Sequence, residues 1–143
     1  MSSEKWLFIL IFLIVFNYIF STVLEFINNK NWKDLIPKQL KNYYSKEKYL
    51  EARNYKKEHG KISFISSTLS TIITLSLLYL GIYGWVSDYF VMNYENYFIQ
   101  SGLFFLSFFL LNTIVSIPFQ YYSTFYIEEK YGFNKNTFKV FIN

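Results

Sequence analysis

Side chains able to do chemistry are few in this chain. His59 is the single histidine among 143 residues, and there is no cysteine. Disulfides, thiolate zinc sites and cysteine nucleophiles are therefore excluded. A histidine-based metal site would need a second ligand that the sequence does not offer nearby. His59 precedes Gly60 and reads as a solvent-side residue before a helix stop. Glu128 and Glu129 are adjacent, so on a helix they diverge by about 100°. Neighbouring positions do not form the facing pair of a two-carboxylate site. No H-E-x-x-H occurs to supply two zinc ligands and a glutamate base, and no phosphate-binding glycine loop or G-x-S-x-G is present. No catalytic residue, metal ligand or cofactor is assigned within these residues.

The elements around these residues are dominated by apolar blocks. Hydrophobic residues make up 52% of the chain and aromatics 24%, gathered at about residues 6–24, 64–85 and 98–117. The first block spans about 28 Å as a helix, close to a hydrocarbon core of about 30 Å. It is long for a signal peptide, and no small-residue cleavage site follows. The second is rich in hydroxyls. Ser67, Ser70 and Thr74 share a face that Gly81 and Gly84 continue, a small-residue series suited to close helix packing. Asn112 interrupts the third block and is expected to face another helix, because an unpaired amide is costly in lipid. Pro118 is expected to end that span. The fold class is all-α integral membrane: three transmembrane helices, with a cytosolic amphipathic helix after the third.

Charge sets the expected orientation. Residues 28–62 carry nine lysines and Arg53 against Asp34, Glu47, Glu51 and Glu58. Pro37 breaks the entry to this segment, and Ser45 caps a helix running to about His59. A basic patch interleaved with Tyr44, Tyr49 and Tyr55 could bind nucleic acid. Between two spans it is more simply a cytoplasmic loop under the positive-inside rule, so no nucleic-acid partner is expected. Residues 86–97 carry Asp88 and Glu95 with no Lys or Arg, and read as the outer loop. Met1 is thus placed outside and residues 118–143 inside, in a bacterial-type inner membrane or the endoplasmic reticulum.

The segment after the third block reads PFQYYSTFYIEEKYGFNKNT from Pro118 to Thr137. Phe119, Tyr122 and Tyr126 recur at helical spacing. Gly132 supplies a C-terminal stop, and Lys130 suits the last turn of a helix dipole. Asn134 and Thr137 can cap a further helix beginning with Phe138, Phe141 and Ile142. The run of Pro118, Phe119, Tyr122, Ser123, Thr124, Glu128, Glu129, Gly132, Phe133, Asn134 and Thr137 resembles the region after the third membrane helix of the type I CAAX prenyl proteases. Residues 49–55 resemble the segment before that family's second helix. An ordinary interfacial helix with a glycine cap is the alternative for the 118–137 run.

The resemblance implies an integral-membrane zinc metalloendopeptidase, in which zinc-activated water hydrolyses a peptide bond. Its zinc motif would lie further along, so this chain would be an amino-terminal membrane fragment short of the active site. The implied partners are the lipid bilayer, the C-terminal catalytic helices of the same protein, and a protein or peptide substrate. The competing expectation is a non-enzymatic three-span scaffold or assembly protein. A self-associating pore former is a third.

Overall fold

A computed structural model of the chain describes residues 3–31, 36, 45–137 and 140–141. Met1, the Pro37 break, the loop residues Lys33, Asp34, Lys38, Lys41 and Tyr44, and the helix-starting Phe138 and Ile142 lie outside them. Among the described residues the structure is all-helical. It comprises α1 (Ser3–Asn31), α2 (Lys46–Tyr79), α3 (Ile82–Asn93), α4 (Tyr97–Tyr122) and a π-helical segment (Ser123–Glu128) that continues α4. Three of these stretches are long and apolar enough to cross a membrane: Glu4–Asn31, Lys46–Tyr79 and Tyr97–Glu128. Their outward faces are greasy, as Phe12, Phe105 and Phe109 illustrate. That much contiguous apolar surface suits lipid rather than water.

Four boundaries differ from the sequence expectation. Gly60 stops nothing; it sits inside α2, which runs unbroken for 34 residues. Such a helix is about 51 Å long, well beyond the hydrocarbon thickness, so one rod carries both the charged residues and the second apolar block. The break comes instead at Gly81, whose φ of 68° is a left-handed turn that glycine adopts freely. Residues 86–93, expected as loop, belong to α3, leaving only Tyr94–Asn96 as connection. Asn96 caps α4 by accepting the Phe98 N–H at 2.9 Å. Pro118 does not end the third span; it lies inside α4. Proline forfeits a single backbone bond there, which membrane helices tolerate. The amphipathic stretch is thus the end of α4 and its π continuation, not a separate helix.

The chain divides into two compact units. The first comprises Met1–Ile19 and Ser66–Ile117. In it Tyr18 and Thr68 share a 2.7 Å hydrogen bond between α1 and α2, and Tyr83 packs on Phe108 with ring centroids 4.4 Å apart. Many span hydroxyls bond back to their own helix: Thr71 to the Ser67 carbonyl, Thr74 to Ser70, Ser107 to Leu103 and Thr113 to Phe109. This satisfies the hydroxyl without any neighbour. Ser70, Thr74 and Asn112 line a small cavity of about 60 Å³ between α2 and α4. Asn112 therefore borders α2 as expected, yet its side chain stays exposed. Gly81 and Gly84 differ from the expected packing face, since a Cβ at either would meet nothing within 4 Å.

The second unit comprises Phe20–Ile65 and Pro118–Asn143. Here α1 and α2 approach closely at Gly60. A Cβ there would lie 3.0 Å from Glu25 Oε1 and 3.3 Å from Asn29 Nδ2. Both atoms end flexible side chains and can shift. Gly60→Ala is therefore expected to be tolerated, while Gly60→Leu forces the helices apart at about 1–3 kcal/mol. Unfolding of the two variants by sodium dodecyl sulfate, followed by circular dichroism, checks the difference.

Candidate functional site

The first half of α2 begins with a working cap. Ser45 Oγ accepts the Lys48 N–H at 3.3 Å, and its carbonyl accepts the Tyr49 N–H. This holds Tyr49 in place, with only 8% of its surface exposed. Two turns on, Tyr55 forms an aromatic cluster. Its ring centroid is 5.6 Å from His59, 5.5 Å from Tyr131 and 5.1 Å from Phe133, the last two edge-on. Edge-to-face rings place positive hydrogens against the negative π face.

The segment from Pro118 docks onto this face of α2. Ser123 Oγ and His59 Nε2 share a 2.8 Å hydrogen bond. One turn on, Ile127 is 2% exposed, the most buried of the described residues. Lys130 then donates to Glu58 Oε1 at 2.5 Å. That carboxylate holds the Lys130 ammonium above the ordinary lysine range. A raised lysine value means the pair's contribution is present at neutral pH and fades as pH rises through the raised value. Both partners are solvent-accessible, so the pair aligns the segment more than it stabilises it.

The segment stops as the sequence predicts. Gly132 has φ 71°. The Gly132 N–H reaches the Glu129 carbonyl at 3.1 Å, and the Phe133 N–H reaches Glu128 at 2.8 Å. These are the two bonds of a Schellman cap, which glycine permits because it lacks a Cβ. Asn134 Oδ1 then accepts the Asn136 N–H, and Asn134 Nδ2 donates to Glu129. The Thr137 carbonyl accepts the Val140 and Phe141 N–H groups, opening a further turn. Phe141 folds back to contact Tyr121 and Phe125.

The residues singled out from the sequence thus separate by role. Ser123 and Phe133 make the docking contacts, while Glu128, Gly132 and Asn134 serve the cap. Tyr122 stacks on Tyr126 and is exposed; Thr124 and Phe119 are half-buried; Pro118 and Glu129 are exposed. Glu128 and Glu129 do not converge as a catalytic pair. His59 is not the solvent-side residue expected: it is half-buried and bonded to Ser123. Sequence reasoning missed it because its partner lies 64 residues away. The one local signal was Tyr55 and His59 at i and i+4, a shared helix face.

A serine beside an imidazole invites comparison with a nucleophile and its base. Hydrolysis would also need a group orienting the imidazole. Glu58, the adjacent carboxylate, is engaged by Lys130 instead. The pair is therefore a structural link. Among the described residues no three His, Cys, Asp or Glu side chains are grouped so as to hold a metal ion.

The family described as CAAX prenyl protease N-terminal, five membrane helices, matches residues 25–143. A CAAX prenyl protease 1 homolog from Oryza sativa is 32% identical over 133 residues, covering 87% of this chain and 31% of the relative. Its human counterpart is 31% identical over 152 residues, covering 99% of this chain and 32% of the relative. A probable CAAX prenyl protease 1 of Schizosaccharomyces pombe is 32% identical over 119 residues, covering 74% and 25%. The chain spans about a third of the length of these curated relatives. No solved structure matches it. The match takes in both the basic half of α2 and the segment docked on it, and the chain belongs to the CAAX prenyl protease family, corresponding to its N-terminal membrane region.

Proposed function

We propose that this chain is the amino-terminal membrane part of a zinc metalloendopeptidase that processes CAAX-box or membrane proteins. Its role is architectural. The three spans supply chamber wall, and the segment docked on α2 presents a fixed surface to the catalytic helices that follow in the same protein. The observation supporting this best is the docking itself, since the family-like run is held against α2 by Ser123 and Lys130, with Ile127 buried between them in sequence. The chain's own residues do not fit a zinc site: His59 is committed to Ser123, and no group of ligands converges among the described residues. In the proposed whole protein, the zinc-bound water and the peptide substrate are held by residues elsewhere.

The test is the reading frame that contains these residues. It should continue in frame to an H-E-x-x-H, and its full product should cleave a prenylated CAAX peptide in a chelator-sensitive way. A stop codon directly after Asn143 favours the scaffold instead.

Orientation is part of the same proposal, with the basic residues and the docked segment cytosolic and the first residues outside. The absence of cysteine makes a clean background. Lys48→Cys and Tyr94→Cys, introduced singly, are expected to label from opposite sides of intact cells. Labelling of Lys48→Cys from the exterior reverses the orientation.

A further inference from the structure

A second groove in the same unit lies between α1 and α2 and is not used by the docked segment. Thr22, Glu25, Phe26 and Asn29 of α1 face Lys57, Gly60, Lys61 and Phe64 of α2 across a volume of about 340 Å³. Both sets repeat at i, i+3, i+4 and i+7, so each is a single helix stripe. The stripes share a polarity. On α1 the chain passes from the first apolar block through Phe26 to Asn29. On α2 it passes from Lys57 and Lys61 through Phe64 into the second block. On both helices the phenylalanine lies toward hydrocarbon and the donor toward water. Phe26 and Phe64 are 66% and 46% exposed, so both present apolar surface at the groove. Lys57 and Lys61 stand one turn apart on α2 and are exposed.

We propose that this groove binds an anionic phospholipid. Its phosphate would be taken by Lys57, Lys61 and the Asn29 amide, and its acyl chains would lie on Phe26 and Phe64. The charge is complementary: two lysines and one carboxylate, Glu25, line the groove, leaving it positive. The apolar rings select a lipid over a free anion, because burying chain methylenes adds affinity that inorganic phosphate cannot gain. Glu25 opposes the ligand. Glu47, Glu51 and Glu58 border a neighbouring groove that the two lysines share, so the headgroup binds in competition with these carboxylates.

The experiment uses the 143-residue chain in dodecyl maltoside micelles, titrated with fluorescent phosphatidylglycerol and fluorescent phosphatidylcholine and read by anisotropy. Preference for the anionic lipid is expected. Each lysine facing an anionic headgroup is worth about fivefold, so the double variant Lys57→Gln/Lys61→Gln should lose about twentyfold or more of that preference. Glu25→Gln should raise it. Opposite signs at two positions in one groove are not a consequence of general destabilisation. The control Lys46→Gln/Lys48→Gln removes the same charge outside the groove and should leave the preference intact. Equal affinity for the two lipids, or equal losses in both double variants, overturns the proposal. Displacement of the labelled lipid by millimolar inorganic phosphate overturns it too, since it assigns the lysines to a free anion.

Discussion

Replacing Ile127 with alanine is expected to release the segment between Ser123 and Gly132 from α2. Ile127 is the most buried of the described residues, with 2% of its surface exposed, and removal of a buried isoleucine costs about 2–5 kcal/mol. The other anchors of the segment are weaker. The Ser123–His59 bond contributes about 1 kcal/mol, and the Lys130–Glu58 pair is solvent-accessible. With the largest anchor gone, the rest should not hold the segment closed. Amide hydrogen exchange of residues 123–133 is the measurement, because it reports local opening directly. Protection should fall by at least about tenfold in Ile127→Ala, while exchange in residues 97–115 should hardly change. Ile127→Leu keeps the volume and should cost less than about 1.5 kcal/mol. Unchanged protection in Ile127→Ala would mean that the segment is held by something other than this contact.

Tyr55→Ala is expected to act on the same docking from the other side. Its ring touches His59, Tyr131 and Phe133 at once. Each aromatic pair contributes about 0.5–1.5 kcal/mol beyond simple burial, so three together reach about 2–4 kcal/mol. Tyr131 and Phe133 flank Gly132, so the loss should concentrate at the end of the docked segment. A Glu58→Cys/Lys130→Cys chain offers a direct readout, since the native side chains meet at their tips and no other cysteine competes. A short bis-methanethiosulfonate spacer makes up the length that cysteine lacks for a direct disulfide; crosslinking with it should be efficient in that background and fall severalfold when Tyr55→Ala is added. Tyr55→Phe keeps all three ring contacts and should crosslink normally. Under the proposed function, both alanine variants are expected to lower turnover of the longer protein, because the surface proposed to face the catalytic helices is no longer fixed.

Much of this architecture is legible in the sequence because its causes are local. Apolar blocks long enough for a bilayer become candidate spans, and the Ser45 cap and Gly132 stop appear where their residue types require. Expectations failed where tertiary contact overrides local preference. Gly60 looks like a terminator but serves the close approach of Glu25 and Asn29. Pro118 looks like a helix start but sits inside α4. Residues 82–93 contain no helix-ending signal apart from Gly84, and α3 continues past it. At the candidate site, the docked residues were visible as a family-like run, but their partners were not. His59, Glu58 and Tyr55 look like ordinary members of a charged helix until the chain returns some seventy residues later.

The wide turns between Ser123 and Glu128 bear on how insertions and deletions are tolerated. Helical hydrogen bonds there skip one more residue than in α4. Dropping one residue from the stretch removes about 100° of rotation, and the return to tighter α winding over the remaining positions restores about as much, so the two ends stay nearly in phase. A one-codon gap in ordinary α winding has no such reserve and swings the side chains beyond it by about 100°.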